Sequence, residues 1–223
     1  MRPFGSRIAP RLKRTSLRLV LPPHAAGMTI GLFGGSFNPP HDAHRLVALA
    51  ALKRLGLDAV WWMVSPGNPL KTHSGLAPLG ERMAAARKLA RHPAIKVTDI
   101  EARLGTRFTF DTIAALKARC PGVRFVWIMG ADNLAQFHLW QNWLGIAGLV
   151  PLAVVDRPGA GLKSAGGVAA TRLARYRLDE SDGRRLAVTQ APAWIFLHGL
   201  KSPLSSTALR EKKQIPVKLH LST

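Results

Sequence analysis

The chain has 223 residues, of which 47% are hydrophobic and only one, Cys120, is a cysteine. This length suits one domain with a substantial core, and the lone cysteine excludes a disulfide framework or a cysteine-rich zinc site and favours a reducing compartment, the cytoplasm. No apolar run reaches the ~20 residues of a membrane span. The chain contains 32 Lys and Arg against 12 Asp and Glu, and the resulting net charge of +20 favours an anionic ligand or partner.

The first 27 residues read as a basic arm. They contain six Lys or Arg and no acidic residue, with Pro22 and Pro23 near the end. Met28 stands directly before a strand-like run, so residues 1–27 are expected to be either a disordered arm or the product of a mis-assigned start. The folded domain is predicted to span 28–213, followed by a tail at 214–223.

Short apolar runs alternate with longer segments in which apolar residues recur every three or four positions. The runs predict strands at 29–33, 60–64, 95–100, 124–129, 149–155 and 194–197. The longer segments predict helices at 44–55, 80–91, 108–119 and 133–141, and residues 156–192 predict a partly helical excursion. The alternation predicts an α/β fold: a Rossmann-like, doubly wound parallel sheet in a single domain. Ligands should bind beyond the carboxyl ends of the strands.

The junction between the first strand and the first helix carries the strongest chemical signal. It reads Gly34-Gly35-Ser36-Phe37-Asn38-Pro39-Pro40-His41-Asp42-Ala43-His44. The glycines allow the backbone to turn sharply and approach a ligand, and the prolines stiffen the entry to the helix. A helix start favours a phosphate group, and His41 and His44 are spaced to present two imidazoles on one face. This junction therefore predicts an anion site with two hydrogen-bond donors.

This segment resembles the HxGH signature of the nucleotidyltransferase superfamily, in the form found in bacterial nicotinate-nucleotide adenylyltransferases. Further motifs follow in the order of that family over roughly residues 29–213: Ser65 to Lys71, Phe108 to Thr112, Gly130 to Asn133, Trp140, Asp156 to Gly159, and Ser205 to Arg210. The resemblance implies a nucleotidyltransferase fold and adenylyl transfer from ATP to nicotinate mononucleotide, with Mg²⁺ accompanying ATP. One departure is Ala43, which stands where the signature has glycine.

The resemblance also implies roles for individual residues. The catalytic residues are expected to be His41, His44 and Arg210. The ATP site is expected to contain Gly34, Gly35, Ser36, Phe37, His44, Lys71, Gly130, Asp132, Ser206, Thr207 and Arg210. The acceptor site is expected to contain Asn68, Thr109, Trp140 as a stacking plate, and Arg157.

Ordinary structural roles remain open for several of these residues. Asp132 and the Ser205–Thr207 segment could simply cap helices, since Asp, Ser and Thr are common caps. Lys71 could be a solvated surface lysine, and Trp140 could belong to the core. The sequence shows no carboxylate cluster that would form a metal cage, and it leaves the oligomeric state open.

Two alternative functions compete with this interpretation. Within the superfamily the acceptor could be nicotinamide mononucleotide, phosphopantetheine or a CTP-linked alcohol phosphate, although Asn68, Thr109 and Trp140 favour the pyridine nucleotide. A basic RNA-binding protein would instead use the positive charge together with exposed aromatic residues. Four tryptophans lie in apolar runs typical of a core, at Trp61, Trp62, Trp127 and Trp194. An enzyme is therefore favoured over a nucleic-acid binder.

Overall fold

The computed structural model of the protein describes residues 21–67, 75–156 and 167–198. The strands are β1 (Thr29–Gly35), β2 (Ala59–Val64), β3 (Ile95–Thr98), β4 (Arg124–Gly130), β5 (Leu152–Val155) and β6 (Trp194–Leu197). They form a six-stranded sheet in the order β3-β2-β1-β4-β5-β6, in which all neighbouring strands are parallel. This confirms the predicted doubly wound sheet and places the reversal of strand order between β1 and β4.

Helices cover both faces of the sheet. The α-helices are α1 (Asp42–Leu55), α2 (Leu79–Ala90), α3 (Ile100–Leu104), α4 (Thr109–Arg119), α5 (Ala131–Gln136), α6 (Trp143–Leu149) and α7 (Val168–Arg172). Short 3-10 helices lie at Phe137–Leu139, Ala174–Tyr176 and Glu180–Val188, which agrees with the partly helical excursion predicted before the last strand.

Side chains of each strand alternate between two buried cores, as the period of two requires. In β2, Trp61 belongs to the core that α4 and α6 cover, whereas Trp62 belongs to the core that α1 and α2 cover. The four tryptophans predicted to be internal, Trp61, Trp62, Trp127 and Trp194, are at most 2% exposed. They therefore do not offer the exposed stacking surface that an RNA-binding sheet would need.

Three predicted elements were wrong in part. The strand predicted at 95–100 ends at Thr98, because the backbone leaves the extended region at Asp99 and Ile100 begins α3. The strand predicted at 149–155 begins only at Leu152, since the apolar run before Pro151 is helical and forms α6. The helix predicted at 133–141 instead starts at Ala131 and passes into a 3-10 turn. Periodicity alone does not distinguish a short buried helix from a buried strand.

The described part of the predicted N-terminal arm lies against the domain. The Gly27 amide donates to the Gly122 carbonyl at 2.8 Å, and the His24 ring meets Trp61 edge-on with centroids 5.8 Å apart. Residues 1–20 and the predicted tail at 214–223 lie outside the described residues. None of the helices in the described ranges combines the length and the apolar character that a membrane span requires.

Candidate active site

The loop after β1 brings two histidines to the start of α1. His41 is the N-cap of this helix, with an extended backbone (φ −148°, ψ 166°), and His44 lies in the first turn. Their ring centroids are 3.9 Å apart, and the residues are only 4% and 9% exposed. The predicted pairing of the two imidazoles on one face is therefore present, and both rings are buried rather than solvated on the surface.

The hydrogen bonding within this pair assigns a role to each nitrogen of His44. The backbone N–H of His41 donates to Nδ1 of His44 at 3.2 Å. Because Nδ1 accepts this bond, the proton of the neutral ring lies on Nε2, which becomes a hydrogen-bond donor. The same bond satisfies one of the amides at the helix start that the helix itself leaves unpaired.

Phe37 anchors the loop between β1 and α1. Its ring stacks on Trp62 with centroids 5.1 Å apart, and it lies 4.8 Å from the His44 ring. The residue is 1% exposed and has a positive φ of 45°. The side chain of this predicted ATP-site residue is thus part of the core, so its backbone is what remains for a ligand. Asn38 and Pro39 follow with a cis peptide bond.

Both glycines of the loop lie close to aromatic rings. A Cβ on Gly34 would be 2.8 Å from Cη2 of Trp127, and a Cβ on Gly35 would be 3.3 Å from Cε2 of Phe37. Contacts below 3.0 Å require the neighbour to shift, so Gly34 in particular allows the indole to pack directly against β1. Ser36 is half-buried at the end of this strand.

The predicted residues after β4 lie on the other side of the strand-order reversal. Gly130 ends β4 and is the N-cap of α5, and Asp132 lies exposed in the first turn of that helix. Trp140 follows the 3-10 turn and meets Trp127 and Phe137 edge-on, with centroids 6.1 and 5.4 Å away. Core packing therefore fixes the position of Trp140, while the residue itself remains partly exposed.

Thr109 is the first residue of α4 and is half-buried. In the sequence it lies between Arg107, which is exposed, and Phe110, whose ring packs on the core beneath α4. The other predicted site residues lie outside the described ranges: Asn68, Lys71, Arg157, Ser206, Thr207 and Arg210. Their roles stay predictions from the sequence.

Sequence reasoning missed Arg82, a buried basic residue of α2. Its guanidinium donates to backbone carbonyls of Ser36 and Ser65, each at 2.7 Å, so it touches the loops after β1 and β2 together. Burial lowers the pKa of Arg82. The sequence does contain a signal for this residue. Arg82 lies on the same side of the helix as Met83 and Ala86, which is buried, and a charged side chain is unusual there.

A second missed residue is Glu101, at the start of α3. Burial raises the pKa of its carboxyl group to about 7, and a hydrogen bond with the Ser65 side chain opposes that rise. Ser65 thus connects α3 to the turn after β2, where its hydroxyl also accepts from the Gly67 amide at 3.2 Å. Within the described residues, no group of three His, Cys, Asp or Glu side chains could hold a metal ion.

Comparisons with known proteins agree with this architecture. A family model described as Cytidylyltransferase-like matches residues 32–212. A relative from Bradyrhizobium sp. strain BTAi1, named as a nicotinate-nucleotide adenylyltransferase, is 61% identical over 82% of this chain and 95% of its own. Another from Rhizobium meliloti strain 1021, with the same name, is 57% identical over 83% of this chain and 99% of its own.

A solved structure shares the fold at low sequence identity. It is the Plasmodium falciparum nicotinic acid mononucleotide adenylyltransferase complexed with NaAD, with a TM-score of 0.60 and 17% identity. The match covers 82% of this chain and 83% of that one. The likeness therefore supports the doubly wound α/β fold.

Proposed function

The chain belongs to the nicotinate-nucleotide adenylyltransferase family, and we propose that it transfers the adenylyl group of ATP to nicotinate mononucleotide. The products are nicotinate adenine dinucleotide and pyrophosphate, so the reaction is a step of NAD biosynthesis. A single buried cysteine suits a reducing compartment, and the cytoplasm is the proposed location.

The observation that carries this proposal is the buried imidazole pair at the start of α1. His44 presents an Nε2–H donor, since its Nδ1 accepts from the His41 amide. Donors fixed before the substrate arrives stabilise the charge that develops in a transition state, and they do so most strongly away from water. A helix start adds the positive end of the peptide dipoles, which favours phosphate.

The proposed mechanism is an in-line attack. A 5′-phosphate oxygen of nicotinate mononucleotide forms a bond to the α-phosphorus of ATP, and the bond from that phosphorus to the bridging oxygen of pyrophosphate breaks. The nucleophile is already ionised at neutral pH, so the protein need not provide a general base. Alignment and charge stabilisation remain as its contributions. His41 and His44 would donate hydrogen bonds toward the α-phosphate and the bridging oxygen.

The remaining roles are proposed from the sequence motifs. Arg210, Lys71 and the amides of Ser206 and Thr207 would bind the departing pyrophosphate. Gly130 and Asp132 would lie along the ATP nucleoside. Trp140 would stack on the pyridine ring, and its packing against Trp127 supports this role because it fixes the indole in place.

Asn68, Thr109 and Arg157 would contact the rest of the acceptor. We propose that Mg²⁺ arrives with ATP and is held mainly by phosphate oxygens, as is common for this ion. The described donor set fits that arrangement, because its histidines lie together without a cluster of carboxylates. The ion would offset phosphate charge.

Pyrophosphate release tests the proposal. The native chain is incubated with ATP and, separately, nicotinate mononucleotide, nicotinamide mononucleotide or phosphopantetheine. Turnover that is highest with the nicotinate compound and falls at least about 100-fold in His44→Ala supports both the acceptor and the site. His92→Ala is the matched control, since His92 lies before the edge strand β3, at the amino ends of the strands, whereas the histidine pair lies at their carboxyl ends. Higher turnover with another acceptor would make that compound the substrate in place of nicotinate mononucleotide. The absence of turnover with all three acceptors would reject the proposed function.

A further inference from the structure

The guanidinium of Arg82 joins the carboxyl ends of two neighbouring strands. Nη1 donates to the carbonyl of Ser36, just past β1, and to the carbonyl of Ser65, just past β2, both at 2.7 Å. Nε donates to the Ala77 carbonyl at 2.8 Å, and Nη2 reaches the Pro66 carbonyl at 3.4 Å. One side chain thus holds three separate stretches of backbone.

The geometry of this contact requires an arginine. The five N–H donors of a guanidinium point in fixed directions in one plane, whereas a lysine ammonium offers three donors from a single atom. Arg82 is 3% exposed, so carbonyls that lost it would gain little from water. The pairing of β1 with β2 ends next to Arg82, where the Ser65 amide donates to the Gly35 carbonyl at 2.9 Å.

All four acceptors of Arg82 are neutral carbonyl groups. Within the described ranges, no carboxylate forms an ion pair with it. An unpaired buried charge is costly, and hydrophobic or neutral residues would usually fill such a position. Asn38 reinforces the same junction, since its side chain bonds to the Gly75 carbonyl at 2.9 Å and the Ala77 amide at 3.2 Å.

The two loops that Arg82 joins carry predicted contacts to both substrates in the proposed function, on which this inference rests. The Ser36 loop leads into the histidine pair and belongs to the predicted ATP side. The turn at Ser65 and Pro66 follows the neighbouring strand and begins the sequence segment that carries Asn68, predicted for the acceptor, and Lys71, predicted for ATP. In-line attack depends on the relative placement of the two substrates, and an error of about 1 Å can cost about 100-fold in rate.

We propose that Arg82 is a positioning residue that fixes the loop after β1 and the loop after β2 relative to one another, and with them the two substrates. It touches neither substrate and acts through the Ser36 and Ser65 carbonyls. Its replacement therefore weakens both binding steps together. A residue needed only for stability would instead reduce the amount of folded enzyme and leave the KM values unchanged.

The test compares Arg82→Lys, which retains the charge but loses the planar fork, with Arg82→Met, which loses both. Arg87→Lys and Arg87→Met are the matched controls, because Arg87 is exposed on the same helix. KM for ATP, KM for nicotinate mononucleotide and kcat are measured on protein shown to be folded by its melting curve. Calorimetric titration with the non-reactive analogue α,β-methylene-ATP measures the ATP side without any acceptor.

We expect Arg82→Lys to raise both KM values by about tenfold or more and to weaken analogue binding similarly, while the Arg87 variants stay within about twofold of the native chain. If Arg82→Met does not fold, Arg82→Lys alone is compared with the native chain and the Arg87 variants. Folded Arg82→Lys with both KM values and analogue affinity within about twofold of native would overturn the inference. Failure of the proposed function looks different, since the native chain itself would then lack turnover, and the analogue titration would still test Arg82.

Discussion

Gly34 and Trp127 are packed so closely that the indole occupies the space of a side chain on Gly34. A Cβ at this position would be 2.8 Å from Cη2 of the ring. Trp127 also meets Trp140 edge-on, with centroids 6.1 Å apart. One buried ring therefore separates the backbone of the predicted ATP loop from the predicted pyridine-stacking residue.

Gly34→Ala should disturb both substrate sites through this ring. We expect it to lower the free energy of unfolding by about 1 to 3 kcal/mol, because a rigid indole must move to admit the methyl group. The displaced Trp127 should in turn shift Trp140 and raise KM for nicotinate mononucleotide. Chemical denaturation and steady-state kinetics provide the two measurements.

A compensating substitution sharpens this prediction. Trp127→Phe removes the far ring atoms that the new methyl group would meet. Gly34→Ala should therefore cost less stability in the Trp127→Phe background than in the native chain. Gly80→Ala is the control, because a Cβ there meets nothing within 4 Å. Equal stability losses with and without Trp127→Phe would show that the contact is not the cause.

The two nitrogens of His44 can be separated by substitution. Asparagine can place its oxygen near Nδ1 and still accept from the His41 amide, but it has no group at the Nε2 position. We expect His44→Asn to keep stability within about 0.5 kcal/mol of native and still lose at least about 100-fold in kcat. Melting curves and pyrophosphate release measure the two effects.

Glutamine at this position has the reverse properties. It can place a donor near Nε2 but cannot accept from the His41 amide in the same way. His44→Gln should therefore lose about 1 kcal/mol of stability and retain more activity than His44→Asn. The opposite ranking of activities would contradict the assignment of Nε2 as the working donor.

Glu101 makes stability depend on pH. Burial raises the pKa of its carboxyl from 4.5 to about 7, so between these values the folded protein holds a proton that the unfolded chain has released. The free energy of unfolding contributed by this group therefore falls as pH rises through that window. Glu101→Gln, which stays neutral, should match the native protein near pH 4.5 and exceed it in stability by up to about 3 kcal/mol near pH 8.

Urea denaturation at several pH values measures this difference. Glu81→Gln is the control, since it makes the same chemical change at an exposed position in the first turn of α2. A stability difference between Glu101→Gln and native protein that stays constant with pH would contradict the prediction.

Local sequence signals predicted most of the fold. The β-branched and aromatic runs identified all six strands of the sheet, and β6 was placed at 194–197 as observed. The errors occurred where a short buried helix and a buried strand have the same composition, as around Leu149. There, the tertiary structure decides, because Pro151 cannot donate a strand hydrogen bond and α6 packs on the core before it.

The sequence by itself determined the parallel α/β sheet, the histidine pair at the first strand-to-helix junction and the family to which the chain belongs. Each of these features depends on residue types at short spacings along the sequence. Only the tertiary structure decided that His44 accepts from the His41 amide and that Arg82 holds two loops whose serines are 29 residues apart. Such contacts depend on which strands become neighbours, and that is fixed by packing across the whole sheet rather than by any local pattern.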